Sequence, residues 1–318
     1  MDGWGSRRVA VEFESEGAAL RGFLFKAVKG EPPFPVVVVT HGTSATIPMV
    51  ADLYAQVFAE AGVSALLYDH RNLGISGGEP RQEINPWIQS RDETHRQRES
   101  GTYRDAITFA STIEDHDPTR IGVWGDSYSA GQVFLVAACD SWVKVVVAQC
   151  PVFGANPPGV DPTREMFEAI RETFESGDVS GGPGEKTGPM PVVSSDQLGT
   201  PSLLQPIQAF RWFIDYGGKH GSGWQNHATR INPSNTAPFR PYLCAPYVTV
   251  PSLMMVAPAD EMVHANPAVS RQAFDLLPGE KAWYDLDGGH FGLLYHPSDL
   301  FDEASTVQAA YLTKHLLH

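Results

Sequence analysis

The residues Gly125, Asp126, Ser127, Tyr128 and Ser129 follow an apolar run at 121–124 and lead into a helix-compatible stretch at 131–139. That is the layout of a nucleophile elbow, a sharp strand-to-helix turn that lifts a serine oxygen above a sheet. The serine backbone in such a turn is strained, so the residues two before and two after it must be small. Gly125 meets that demand. Ser129 is a mild departure, since glycine is usual at its place. A helix whose N-terminus faces the serine favours negative charge developing there. A glycine–serine–small string also occurs in ordinary turns, so the assignment depends on partners elsewhere in the chain.

Two partners stand in the right order. Asp260 lies in the loop after an apolar run at 252–256, and His290 in the loop after a run at 281–286. Each follows a predicted strand, on the sheet edge that would also carry Ser127. A serine hydroxyl is a poor nucleophile at neutral pH, and an imidazole must take its proton as it attacks. His290 is suited to that, and Asp260 to fixing the imidazole tautomer and stabilising its charged form. Glu261 and Asp287 are rival acids; Asp287 sits in a tight Asp-Gly-Gly turn, and Glu261 is expected to diverge from its neighbour. The oxyanion hole is expected to combine the Tyr128 amide with that of Thr43 in the loop His41-Gly42-Thr43-Ser44, with Ser44 as the alternate donor. His41 reads as a histidine bonded to loop backbone, Asp69 and Arg71 as structural salt-bridge residues, and Asp126 as exposed or paired. His220, His227 and His264 lack metal-ligand spacing, and no metal or cofactor is expected.

These side chains need a parallel sheet to hold them. Residues 8–13 and 19–27 alternate as an edge hairpin, and PVVVVT at 35–40 and SALLY at 64–68 read as strands buried on both faces. Helical spacing at 49–61, 103–113 and 131–139 alternates with strands at 121–124 and 143–148, which implies a mainly parallel sheet covered on both sides. The alternation stops near Pro151 and resumes near Pro251. The expected division is therefore a core of residues 1–150 and 246–318, with 151–245 as a cap insertion near the strand ends where ligands bind. The insertion carries helical pieces at 163–175 and 204–216 and a Gly-rich loop at 177–188. Its aromatic residues Trp212, Tyr216 and Trp224, with Phe291 and Ser44, are candidate substrate contacts, although some must form the insertion's own core. The cationic cluster between Arg91 and Arg104 is interleaved with acids and reads as a solvated excursion.

A chain of 318 residues with 42% hydrophobic content can bury a core of that size. Its net charge of −14, without a basic run, argues against nucleic acid and anionic membrane as partners. Three cysteines (Cys139, Cys150, Cys244) make no disulfide framework and point to a reducing compartment. Residues 1–8 lack the apolar core of a signal peptide, and no apolar run is long enough to span a bilayer, so a cytoplasmic location is expected. The expected partner is a small-molecule acyl substrate; the oligomeric state stays open, a homodimer included.

The strings HGTS, YDHRNLGISGGEPR, GVWGDSYSAG, APADEM and GGHFGLLYHPS together resemble the α/β-hydrolase superfamily. More narrowly they resemble its dienelactone-hydrolase-like branch, which includes polyketide-transferase-like proteins. The resemblance covers the chain from about Val9 to Leu317 and implies the triad Ser127, Asp260, His290. Against that pattern, residues 93–101 look like extra sequence forming a surface excursion. Dienelactone hydrolases proper use a cysteine where this chain has Ser127, so their reaction does not carry over. The resemblance implies a serine esterase, thioesterase or lactonase working through an acyl-enzyme. An acyltransferase, an amidase or peptidase like the X-prolyl-peptidase group, and a non-catalytic receptor are the alternatives.

Overall fold

The computed structural model describes residues 7–94, 105–177, 185–232 and 237–317. Eight strands form the main sheet: β1 (Arg8–Ser15), β2 (Ala18–Phe25), β3 (Phe34–Thr40), β4 (Ser64–Tyr68), β6 (His116–Asp126), β7 (Val143–Gln149), β10 (Ser252–Val256) and β11 (Lys281–Asp285). Their order is β1-β2-β4-β3-β6-β7-β10-β11. The β1–β2 and β2–β4 pairings are antiparallel, and every later one is parallel. β-Branched side chains at Val36, Val37, Val38 and Val39 are fully buried on both faces of β3, as a strand covered by helices on each side requires.

Helices α1 (Ala51–Glu60) and α9 (Asp299–Leu316) cover one face, packing Tyr54, Phe58 and Leu312 on Trp124 and Val147. On the other face, α4 (Tyr128–Cys139) and α7 (Pro267–Leu276) pack Val133, Phe134 and Val269 against Val123 and Val146. Two elements differ from the helical spacing. Strand β6 starts at His116, five residues before the apolar run, and α3 spans only Ala106–Ala110. Residues 103 and 104 of the expected helix lie outside the described residues.

The charged cluster beginning at Arg91 is the main correction. Helix α2 (Pro86–Glu93) starts with Pro86 and is capped by the Asn85 side chain, which accepts from the Trp87 and Ile88 amides. Arg91, Asp92 and Glu93 are fully buried within it. Arg71 grips Asp92 with two nitrogens, Nη2 to Oδ1 at 2.5 Å and Nε to Oδ2 at 3.1 Å. The Ser15 hydroxyl reaches Asp92 and Asp105, each at 2.7 Å, and Arg91 pairs with Glu16 and the Phe174 carbonyl. Arg91 and Asp92 are tolerable as buried charges because they are paired and hydrogen-bonded to groups from distant parts of the chain; among the described residues the Glu93 carboxyl has no hydrogen-bond partner, and burial raises its pKa well above the usual value, towards the neutral acid. The rest of the expected excursion, residues 95–101, lies outside the described residues.

Between β7 and β10 the chain forms α5 (Arg164–Ser176), β8 (Glu185–Met190), α6 (Ile207–Gly217), β9 (Ala228–Asn232) and a 3-10 turn at Pro241–Tyr247. β8 and β9 make a second sheet with β5 (Glu83–Ile84), in the order β5-β9-β8. The Gly-rich loop expected at 177–188 thus ends in a strand; its residues 178–184 lie outside the described residues. The short helix α8 (Gly289–Gly292) precedes α9.

Replacing Arg71 by alanine strands a buried carboxylate, so a loss of about 3 kcal/mol is expected from the urea midpoint. Arg171→Ala, which removes an exposed pair with Glu168 on α5, should cost less than about 0.5 kcal/mol. Equal losses for the two would contradict this account of α2.

Candidate active site

Strand β6 runs into α4 through Ser127, whose backbone sits at φ 58° and ψ −113°. Its amide donates to the Gln149 carbonyl at 2.8 Å, and its carbonyl accepts from the Val152 amide at 3.1 Å. Both ends of the strained residue are therefore tied down, one to the last residue of β7 and the other to the segment just after it. A Cβ on Gly125 would lie 2.5 Å from the Ser129 carbonyl oxygen, so only glycine fits there. Gly42 also comes close from the neighbouring loop: a Cβ would lie 2.9 Å from Asp126 Oδ2 and 3.1 Å from Ser127 Cβ.

The structure brings the three residues singled out in the sequence into one chain of hydrogen bonds. Ser127 Oγ lies 2.8 Å from His290 Nε2, and His290 Nδ1 lies 2.7 Å from Asp260 Oδ2. In the arrangement that satisfies both contacts, the serine hydroxyl donates to Nε2 and Nδ1–H donates to the carboxylate. The other Asp260 oxygen accepts the Met262 amide at 2.8 Å. Glu261 does not diverge as expected: its carboxylate accepts the His290 amide at 2.8 Å and so fixes the loop that carries the imidazole. Burial pulls the His290 pKa down, but the hydrogen bond and charge of Asp260, helped by Asp126 and Glu261, outweigh it and raise the pKa above 6.5. Asp126 is buried and paired with the Gln149 amide at 2.9 Å, and burial pushes its pKa up to about 6.

Tyr128 opens α4, so its amide has no acceptor within the helix. Among the described residues, neither it nor the Thr43 amide donates to another group in the chain. Ser44 adopts φ 57°, and its hydroxyl is buried without a partner. His41 is buried, with Nδ1 3.2 Å from the Gly42 carbonyl and Nε2 3.2 Å from Asp69 Oδ1. Asp69 also accepts the Ile47 and Ile75 amides, at 2.7 and 2.8 Å. Asp69 and Arg71 therefore serve different partners, since Arg71 turns to Asp92. A second histidine, His70, to which the sequence gives no role beyond its place in the turn-rich loop after β4, has Nε2 2.8 Å from Ser129 Oγ. The irregular serine at the elbow was the one sign of it.

The insertion packs onto the loop that follows His290. Trp212 Nε1 donates to the Leu294 carbonyl at 2.8 Å, and the Tyr216 hydroxyl accepts the His296 amide at 2.8 Å. Trp212, Tyr216 and Phe291 are buried among one another, and the Phe291 ring centroid is 5.1 Å from that of His290. Trp224 is half-buried against Phe213, and its indole N–H has no partner among the described residues. Two surface concavities of about 540 and 720 Å³, on α5 and between α1 and α9, contain no triad residue. Among the described residues, Cys150, Asp260 and His290 are one group with potential ligand atoms within 4.8 Å of one another; two of these already share the triad hydrogen bond. His220, His227 and His264 are exposed and join no such group. No described helix is long and apolar enough to cross a membrane.

No family model matches the sequence. The chain is 30% identical over 294 residues to a thiohydrolase of Eupenicillium brefeldianum, covering 90% of this chain and 88% of that one. It is 36% identical over 297 residues to the acyltransferase drtE of Aspergillus calidoustus, covering 87% and 85%. Its fold matches that of the α/β-hydrolase GrgF from Penicillium sp. sh18, with a TM-score of 0.68 at 20% identity and 98% and 99% of the two chains covered. The chain is an enzyme of the α/β-hydrolase superfamily and belongs to the branch that holds these fungal thiohydrolases and acyltransferases.

Proposed function

We propose that the protein is a serine hydrolase that cleaves an ester or thioester through an acyl-enzyme on Ser127. The observation that carries this reading is the continuous Ser127–His290–Asp260 chain, at 2.8 and 2.7 Å. His290 takes the serine proton as Oγ attacks the substrate carbonyl, and Asp260 stabilises the imidazolium that forms. The amides of Tyr128 and Thr43 receive the developing oxyanion. As the tetrahedral intermediate collapses, His290 passes its proton to the departing alkoxide or thiolate. Water, activated by the same imidazole, then releases the acid. The insertion acts as a cap over the acyl group, with Trp224 as its half-exposed aromatic contact and Ser44 near the carbonyl. A small-molecule acyl substrate suits this arrangement. Because one relative is a thiohydrolase, a thioester is the first substrate class to test.

The relative drtE supports a second reading, in which an alcohol or amine replaces water in the last step and the enzyme is an acyltransferase. Product analysis in the presence of an alcohol separates the two, since transfer yields a new ester and hydrolysis yields only the acid.

A fluorophosphonate probe should label wild type and leave Ser127→Ala unlabelled. The same substitution should lower p-nitrophenyl ester or acyl-thioester turnover by at least about a thousandfold. Turnover in the alanine variant equal to that of wild type would overturn the assignment. Only neutral imidazole can accept the serine proton, and a raised pKa keeps His290 protonated to higher pH than an ordinary histidine. The acid limb of kcat/KM should therefore fall half-way at a pH above 6.5. A rate flat down to about pH 5 would remove His290 as the base.

A further inference from the structure

The elbow departs from the usual pattern at Ser129, and the surroundings of that hydroxyl give the departure a purpose. Ser129 is buried in the first turn of α4, two residues beyond the nucleophile. Its Oγ donates to the His41 carbonyl at 2.7 Å, and His70 Nε2 reaches the same Oγ at 2.8 Å. His70 Nε2 also lies 3.2 Å from the His41 carbonyl, and the two imidazole rings meet edge to face with centroids 4.9 Å apart. Both oxygens near Nε2 can accept, so the proton sits on Nε2; Nδ1 is buried without a partner. Burial and the neighbouring His41 hold the His70 pKa well below 6.5, which keeps the ring neutral and this tautomer in place. His41 is the residue from which the Gly42-Thr43-Ser44 turn departs, and at the far end of that turn Asp69 holds the Ile47 amide at 2.7 Å.

The loop is thus pinned at both ends, and the nearer pin is carried by the nucleophile's own helix. We infer that Ser129, backed by His70, is a positioning residue that sets the distance between Ser127 and the amide of Thr43. A glycine at 129 would complete the usual elbow but leave the loop without this link. The inference rests on the hydrolase reading above. Its consequence is specific to the transition state: the Thr43 amide matters when negative charge appears on the substrate oxygen, so slackening the loop should weaken that state and leave ground-state binding alone.

The test compares wild type with Ser129→Ala and Ser129→Gly, using p-nitrophenyl acetate as substrate and benzeneboronic acid as the tetrahedral mimic. In forming that adduct, Ser127 Oγ bonds to boron and its proton passes to His290. Each variant should lose roughly ten- to a hundredfold in kcat and the same factor in boronate affinity, with KM within about twofold. His70→Phe keeps the Ser129–His41 bond but removes its second donor. It should move both quantities the same way by a smaller factor, and combining it with Ser129→Ala should add less than the product of the two. His70→Phe also decides the matter if the Ser129 variants do not fold. Boronate affinity and kcat within twofold of wild type in all folded variants would overturn the proposal, as would a rise in KM alone. Wild type that neither turns over ester nor takes up boronate would instead sink the hydrolase reading.

Discussion

One residue held in a conformation that L-amino acids rarely adopt organises this site. Ser127 at φ 58° can exist only where every neighbour gives it room and its own peptide groups are satisfied. Gly125 supplies the room below and Gly42 the room beside, and the Gln149 carbonyl and Val152 amide complete the hydrogen bonding. The strain is offset by the parallel sheet around it, because β7 presents its last residues to the serine in fixed register. The same turn leads Ser127 directly into the start of α4, so the geometry that strains the serine also brings the positive end of the helix dipole beside it.

Asp260 and His290 are held by a different device. Asp260 sits in the loop after the interior strand β10, and His290 in the one-turn helix α8 that follows the edge strand β11. Glu261 and the Met262 amide make those segments rigid, one by binding the backbone of His290 and the other by binding the carboxylate of Asp260. Consecutive residues Asp260 and Glu261 thus act on opposite ends of one histidine, Asp260 on the ring and Glu261 on the main chain. Buried carboxylates around the ring leave it more basic than its burial alone would allow.

Much of this was legible in the chain. Strands such as β3 and β10 announce themselves because a short run of apolar residues, bounded by turn residues and too short for a helix, has few other homes. The hydrogen-bonded chain of Ser127, His290 and Asp260 was legible because its members follow strands in a fixed order. The burial of Arg91, Asp92 and Glu93 was not: charged residues read as solvent-facing unless their partners are known, and Arg71, Ser15 and Glu16 are brought there only by tertiary structure. Strand β5 is two residues long and carries no periodicity, so its pairing with β9 was equally hidden. Ser129 looked like a tolerated substitution because its partners, two histidines of separate loops, are invisible to local reasoning. Trp212 and Tyr216 were candidates for substrate contact, and the structure spends their polar atoms on the backbone after His290.

The hydrogen bond between Ser127 and His290 spans 163 residues of chain, and the insertion lies entirely within that interval. On a ribosome, which extends a chain from its N-terminus, the elbow strand and its helix are made long before His290 exists. Ser127 therefore passes through synthesis without the imidazole it bonds to, and the Ser127–His290–Asp260 chain cannot form until the last two strands of the sheet have docked. On the proposed mechanism, reactivity is a reporter of completed folding: a nicked or truncated chain that has lost β11 and the histidine after it keeps a serine on its elbow but has nothing to take its proton.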